Sequence, residues 1–449
     1  MDTVTGKRVE HRRFGQGTVQ EMRHRGLELF VLFEDGIKRW VRLEDVRFLS
    51  SSPVLNVAPP PIPTMTPEAL RSRHMIEAFR SGIVPYRHVE HFTFGRDEEI
   101  EFIKGWLNDG DTGTLAVEGQ YGSGKTHLLD YLYALALTEG YAVARAEFDP
   151  NEAPPFRPKA VYRKLIEGFR YQDGGKVGNF QDFLRAAASQ DRSRLREHRY
   201  LSFMALSITT TGESASLWDW IQGKETSRQP GVLYDHGTAA NIYCHILAGL
   251  GCAAVRILRL RGLVLIFDEA ESILHPWNYW YQNEKGFNFI HGLSLLASSD
   301  PRLLDEAIDW EYRPGVGSCF GRETGLVYHG RASDVRYCCH LPSFVKMVLA
   351  VTPGAYGFDV VDRLQQFGAP VTRLHLRPLS DGALKQLFHE ICLLYQSAYG
   401  PVELRDDAQR CFGLVKARSG TGTRSFIKGS VEILDLRRFH PDLPLEAIE

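Results

Sequence analysis

Residues 115 to 129 read Leu-Ala-Val-Glu-Gly-Gln-Tyr-Gly-Ser-Gly-Lys-Thr-His-Leu-Leu, and this stretch restricts the possible fold more than any other. Gly119, Gly122 and Gly124 allow backbone conformations closed to residues with side chains, so successive N–H groups can turn into one concavity. A helix starting near Lys125 adds the positive end of its dipole to that concavity. The spacing Gly119-x-x-x-x-Gly124-Lys125-Thr126 is that of a phosphate-binding loop. The residues expected around the phosphates are Gly119, Gln120, Tyr121, Gly122, Ser123, Gly124, Lys125, Thr126 and His127. Lys125 would reach the outer phosphates, and the Thr126 hydroxyl would be a Mg²⁺ ligand. The context agrees. Thr114–Val117 reads as a short buried strand, and Leu128, Leu129, Leu132 and Leu135 recur at helical spacing.

A loop of this kind needs an acidic partner. Helix 239–256 is followed by Arg261-Gly-Leu-Val-Leu-Ile-Phe-Asp268-Glu269, an apolar run that ends in two carboxylates. Such a run reads as a central strand with acids at its C-terminal edge. Asp268 is expected to hold Mg²⁺ opposite Thr126, and Glu269 to polarise the water that attacks a γ-phosphate. Alternation turns Glu271 elsewhere. The cofactors implied are ATP and Mg²⁺, and the activity implied is ATP hydrolysis.

Composition narrows the class. A chain of 449 residues with 43% hydrophobic and 24% charged residues has length for two or three domains and a large core. A net charge of −2 excludes a generic polyanion binder, so any nucleic-acid surface must be local. No apolar run is long enough to cross a membrane, and the first residues lack the apolar core of a signal peptide; a cytoplasmic protein with no membrane contact is expected. Seven cysteines form no Cys-x-x-Cys pair. Cys338 and Cys339 stand beside His340 without a second ligand pair at zinc spacing, and buried thiols are the simpler reading.

Along the chain, residues 1–50 read as a small all-β module. Short alternating segments at 8–14, 17–22, 27–33 and 38–43 are divided by Gly15, Gly17, Gly26 and Asp35-Gly36. Arg12, Arg13, Arg39 and Arg42 with Trp40 fit either a basic, aromatic face for a partner or a solvated surface with Trp40 in the core. Residues 51–67 hold Pro53, Pro59, Pro60, Pro61, Pro63 and Pro67, the pattern of an extended linker. An α/β domain is expected over 68–376, with insertions near 171–236 (polar, helical, with Trp218 and Trp220) and 302–339 (irregular, glycine-containing). Residues 377–449 read as a helical lid, with Ser380 as a helix N-cap. Trp277, Tyr279, Trp280, Tyr281, Phe287 and Phe289 fit either a stacking surface or internal packing.

Several stretches resemble known families. Val9-x-His11-x-x-Phe14-Gly15-x-Gly17-x-Val19 and Val31-x-Phe33-x-x-Gly36-x-Lys38 resemble the small SH3/Tudor-like barrel at the C-terminus of UvrD-type helicases. The order of apolar residues, Gly95-Arg96-x-x-Glu99, helix and phosphate loop resembles AAA+ and origin-recognition-type ATPases. That resemblance implies an α/β P-loop NTPase with a helical C-terminal lid, preceded here by the barrel. It implies adenine contacts from Ile83, Val84 and Phe94. It also implies a sensor at Thr352, which ends the strand 345–351, and a second sensor at Arg424. An arginine acting on a neighbouring subunit's site is implied at Arg363, with Arg373 close behind. Phe94-Gly-Arg96, Glu147-x-Asp149-Pro150, Pro158-Lys-x-Val-Tyr162-Arg163 and Phe267-Asp-Glu-Ala-Glu271 resemble the ATP-binding proteins of BREX-type phage defence, the BrxC/BrxD group and its BrxD branch most closely. That resemblance implies a homo-oligomer working with other defence proteins, a helicase or methyltransferase among them. DNA would meet the barrel or the oligomer channel. A nucleotide-dependent switch or adaptor with little hydrolysis is the second reading.

Overall fold

A computed structural model describes residues 5–23, 27–49, 66–85, 88–110, 113–210, 212–224, 239–354, 359–402, 408–420 and 422–444. It divides into two compact units, Met1–Thr66 and Pro67–Glu449. Most of the expected linker lies outside the described residues.

The first unit is one antiparallel sheet of strands β1 (Arg8–His11), β2 (Gly15–Arg23), β3 (Glu28–Phe33), β4 (Lys38–Arg42) and β5 (Val46–Phe48), in the order β4-β3-β2-β1-β5. Period-two alternation sends Val9, Val19, Leu29, Val31, Phe33 and Val41 to a small core. Trp40 sits on the opposite face, half-buried against Phe30 with ring centroids 4.9 Å apart, and the Arg23 guanidinium stands 4.0 Å from its centre. Arg39 lies over Phe14 at 4.6 Å, so two of the aromatic rings are covered by the unit's own arginines.

The second unit opens with α1 (Pro67–Arg80) and α2 (Asp97–Asn108), then β6 (Thr114–Glu118), α3 (Lys125–Thr138), β7 (Ala142–Glu147) and α4 (Pro158–Glu167). A hairpin follows, β8 (Arg170–Asp173) and β9 (Lys176–Asn179), and then helices α5 (Phe180–Gln190), α6 (Arg192–Leu195), α7 (Arg199–Thr210), α8 (Ala215–Ile221) and α9 (Ala240–Arg256). Next come β10 (Leu263–Asp268), α10 (Trp280–Ala297) and α11 (Arg302–Asp305), the short strands β11 (Ile308–Arg313), β12 (Gly317–Gly321) and β13 (Val327–Tyr328), and β14 (Val345–Val351). The chain ends with α12 (Val360–Gln366), β15 (Thr372–His375), α13 (Asp381–Tyr399), α14 (Ala408–Ser419) and α15 (Thr423–Phe439).

The central sheet runs β15-β6-β14-β10-β7-β8-β9. Its first five strands are parallel, and β8 and β9 join antiparallel. Strands covered on both faces read as unbroken apolar runs, which is why 263–267 and 345–351 carry so few polar residues. Alternation divides them between two cores. Val264, Ile266, Val348 and Ala350 face α2 and α3, whereas Leu265, Phe267, Met347 and Leu349 face α9 and α10. Parallel order places the C-terminal ends of β6, β14 and β10 side by side, with β14 between the other two.

Three expectations change. The 171–236 stretch is helical as expected, in α5 to α8, but it opens with the β8–β9 hairpin and is not polar throughout: Phe183, Tyr200, Met204, Trp218 and Trp220 are buried in the main core. Residues 225–238 lie outside the described residues. The 302–339 stretch is ordered as the sheet β11-β12-β13. Its centre is Glu306, 2% exposed, whose carboxylate accepts from the Thr324 N–H (2.6 Å), the Thr324 hydroxyl (2.8 Å), the Glu323 N–H (3.1 Å) and the Tyr328 hydroxyl (3.1 Å). Gly321 is required there, because a Cβ would stand 2.1 Å from the Glu306 carboxylate. Finally, α1 packs not with the sheet but with the C-terminal helices. Met75, Ile76 and Phe79 share a core with Leu387, Ile391, Phe426 and Val431, and Arg80 pairs with Asp435.

Candidate functional site

The loop between β6 and α3 has the shape its glycines allow. Gly122 and Gly124 sit at φ +80° and +97°, and α3 starts at Lys125. Lys125, 8% exposed, folds back over the loop. Its ammonium donates to the Gly119 carbonyl (2.9 Å), the Gln120 carbonyl (3.5 Å) and the Thr352 hydroxyl (2.8 Å). Thr352 follows directly on β14, so the sheet order itself brings it to the lysine. The Thr126 side chain is exposed and forms part of a cavity wall, as does Tyr121, 77% exposed.

A buried arginine fixes the outside of the loop. Arg96, 7% exposed, donates to the Ser123 carbonyl (2.8 Å), the Arg377 carbonyl (2.8 Å) and Glu99 (2.7 Å). It thereby joins the start of α2, the loop and the segment leading into α13. Its positive charge adds to burial in holding His127 neutral, with a pKa pushed down to about 4, and the His127 Nε2 lies 2.8 Å from the Thr93 hydroxyl. The carboxylate of Glu118, just before the loop, is likewise internal: Arg373 (3.0 Å) and the His375 Nδ1 (2.8 Å) flank it, and burial raises its pKa.

At the end of β10, Asp268 is 2% exposed. One carboxylate oxygen accepts from the Arg145 guanidinium at 3.0 Å, and the other from the Glu269 N–H at 3.1 Å. Glu269 occupies the left-handed region at φ +56°, a strained conformation for a residue with a side chain, and its carboxyl enters the cavity wall. Burial raises its pKa, reinforced by Glu271 and Asp268 and opposed by Lys125. One Glu271 oxygen is buried without a hydrogen-bond partner.

The cavity has a volume of about 330 Å³. Its wall carries Lys125, Thr126, Glu269 and Arg424 among its polar residues and Ile83, Val84, Phe92 and Phe94 among its apolar ones. The helical part closes over the loop: the Thr423 N–H donates to the Gly122 carbonyl at 3.0 Å, and Gly82 lies against the Arg424 side chain. Asp268 and Thr352 stand behind the wall rather than on it. Arg363 and Arg373 are elsewhere. Arg363 makes a two-oxygen ion pair with Glu284 (2.8 and 2.9 Å) and lies 4.0 Å from the centre of the Phe287 ring, whereas Arg373 pairs with Glu118 and Asp362.

Two residues that the sequence reading left without a structural part hold the site together. Arg96 entered only as part of a motif, and Arg145 not at all. A signal for the second was present, since an arginine inside the apolar strand Ala142-Val-Ala-Arg-Ala requires a charged partner. The aromatic stretch divides: Phe287 and Phe289 are buried, and Trp277, Tyr279 and Trp280 are exposed.

A second cluster brings His198, His245 and Cys339 donor atoms within 4.8 Å of one another. Both His198 nitrogens are already used, Nδ1 by the Tyr200 and Leu201 N–H groups and Nε2 by the His245 carbonyl. That leaves one imidazole lone pair and one thiol, too few to hold a metal ion.

Residues 68–193 match the family model described as BREX system ATP-binding protein BrxC/D. That range runs from α1 into the start of α6 and includes the whole loop between β6 and α3, but ends before β10. Among solved structures, the chain is similar to the Aeropyrum pernix ORC1 protein in complex with DNA at 14% identity and a TM-score of 0.33, over 77% of this chain and 62% of that one. It is similar to Drosophila ORC bound to DNA at 13% identity and a TM-score of 0.32, over 83% and 70%. The Aeropyrum pernix ORC2 protein (ADPNP–ADP complexes) gives 12% identity and a TM-score of 0.33, over 79% and 70%. The chain thus spans less than two thirds of the first of these proteins. Among the described residues, no helix is long and apolar enough to cross a membrane.

Proposed function

We propose that this chain is an AAA+-type, Mg²⁺-dependent ATPase serving a BREX-type defence complex, within the BrxC/BrxD group and nearest its BrxD branch. The observation that carries the reading is the single cavity walled by Lys125 and Thr126 from the loop, Glu269 from the end of β10 and Arg424 from α15. The family description matched by residues 68–193 supports nucleotide binding and the defence context.

In this reading the adenine lies among Ile83, Val84 and Phe94, and the phosphates lie in the loop of Gly119–His127. The oxygen donors fit magnesium, which prefers hydroxyl, carboxylate and phosphate ligands: Thr126 would hold the ion directly, and Asp268 from behind. Magnesium would supply charge neutralisation at the transferring phosphoryl group. Lys125 exchanges its loop carbonyls for phosphate oxygens while Thr352 keeps its direction. Glu269, with its raised pKa, accepts the proton of the attacking water. Arg424 stabilises charge on the γ-phosphate and links its loss to movement of α13–α15. Arg363 would act on a neighbouring subunit, and must first leave Glu284. The first unit would be an SH3/Tudor-like barrel that engages DNA or a partner protein, and the chain would be an oligomer in the cytoplasm.

A specific observation favours a second reading, a nucleotide-dependent switch with little hydrolysis: both Asp268 oxygens are already bonded, to Arg145 and to the Glu269 N–H. Steady-state ATP turnover with and without DNA, compared with Glu269→Gln, separates the two. DNA-stimulated turnover above the Glu269→Gln level supports the motor. Nucleotide binding with turnover at that level supports the switch.

A further inference from the structure

Arg145 lies between two carboxylates that approach the nucleotide cavity from different elements. Its guanidinium bonds Asp268 at 3.0 Å and also bonds Asp130 on α3. Asp130 follows Thr126 by four residues, so the two share one face of α3, and Asp130 itself belongs to the cavity wall. All three groups are largely withdrawn from water, with side chains 22%, 18% and 4% exposed for Arg145, Asp130 and Asp268. Thr126 and Asp130 on one face of α3, with Asp268 joined to Asp130 through Arg145, are oxygen donors of the kind a divalent cation takes. One guanidinium between the two acids removes half of their charge and occupies one oxygen of each.

We propose that Arg145 is the positioning residue that makes the metal site depend on nucleotide. By bridging Asp130 and Asp268 it keeps Asp130 from becoming a metal ligand, and leaves the protein alone with too little negative charge to retain a divalent cation. The ion is then held only where phosphate oxygens complete the set. The bridge also fixes the side chain of Asp268, whose other oxygen is held by the Glu269 N–H, so the acid is aimed before the ion arrives. The proposal rests on the nucleotide-site reading for its consequence, but its physical content, divalent binding by the protein alone, does not need that reading.

The test is Mn²⁺ binding to the full chain without nucleotide, followed by electron paramagnetic resonance of the free ion. Wild type and Arg145→Lys are expected to bind weakly. Arg145→Met is expected to bind one Mn²⁺ per chain at least about tenfold more tightly, the direction given by removing a positive charge within contact distance of one buried and one partly buried acid. Asp130→Asn in the Arg145→Met background should return affinity to the wild-type level. If folded Arg145→Met binds Mn²⁺ no better than wild type, the proposal is overturned. Should Arg145→Met not fold, Asp130→Asn alone decides: it leaves the whole guanidinium to Asp268, and should raise the Mg²⁺ concentration that half-saturates binding of a fluorescent ATP analogue several-fold; an unchanged requirement overturns the proposal. Analogue binding in EDTA by wild type against Lys125→Ala reports separately on the nucleotide site.

Discussion

At the scale of single residues, Lys125 and Arg96 divide the work of holding one loop. Lys125 satisfies two loop carbonyls and a hydroxyl at the next strand's end, so its ammonium is aimed before any phosphate is bound. Replacing it with alanine is expected to weaken ATP-analogue binding by about 3 kcal/mol, roughly a hundredfold, the value of charge-assisted hydrogen bonds, with the fold retained by circular dichroism. Arg96 acts on the other side. Arg96→Met leaves the Ser123 and Arg377 carbonyls without their donor and Glu99 without its counter-charge. A loss of about 3 kcal/mol in chemical denaturation, with weaker nucleotide binding, is expected for a broken buried pair. The loop's own residues were legible from their spacing, because glycine geometry and the lysine that follows it are local. Arg96 and Arg145 were not, because their partners lie on other elements: Arg377 for Arg96, and Asp130 and Asp268 for Arg145. Likewise the family resemblance offers Arg363 for a neighbouring subunit's site, and only the fold supplies Glu284 and Phe287 as its partners.

At the scale of elements, long strands and helices were easy to read and short ones were not. The unbroken apolar runs of β10 and β14 announce strands buried on both faces. By contrast β8, β9, β12 and β13 run for only two to five residues, too few for alternation to register, and the six residues of β11 are nearly all exposed. The small sheet is instead organised by a polar group, Glu306, which propensity cannot reveal. Glu306→Ala is expected to cost about 3 kcal/mol, because it leaves Tyr328, Thr324 and two backbone N–H groups without their buried acceptor. ATP-analogue binding should remain within about twofold of wild type, since none of these groups lines the cavity. Equal losses of stability and binding would mean that this sheet supports the site. Helix α1 shows the same limit: Met75, Ile76 and Phe79 recur at helical spacing, but their partners on α13 and α15 are supplied only by the fold.

At the scale of the whole molecule, three buried histidines make stability depend on pH. Burial lowers the pKa of His198 to about 4, of His245 to about 3 and of His291 to about 4, against an ordinary value of 6.5. A depressed histidine pKa means that the unfolded chain takes up protons that the folded chain refuses. The penalty is therefore absent above about pH 6.5 and grows as pH falls toward 4. At pH 5.5 each contributes on the order of 1 kcal/mol, and His127 beside the loop, whose pKa is also pushed down to about 4, acts in the same direction. The thermal midpoint should be flat from pH 8 to 7 and fall steeply below 6. Burial raises the pKa of Glu118, Asp130 and Glu269, which acts in the opposite sense, so the rings are read directly: imidazole NMR signals that titrate near pH 6.5 in the folded chain would contradict their buried, neutral state.

One cavity gathers Lys125 and Thr126 from the loop, Glu269 from the end of β10 and Arg424 from the start of α15, and we propose that it hydrolyses nucleotide. The most direct test is single-turnover ATP hydrolysis by the full chain with Mg²⁺, comparing wild type with Glu269→Gln at matched nucleotide occupancy. Retained binding in the variant and a rate lower by about a hundredfold or more are expected, the contribution of a positioned general base. Equal rates in the two proteins, or no nucleotide bound by wild type, would contradict it.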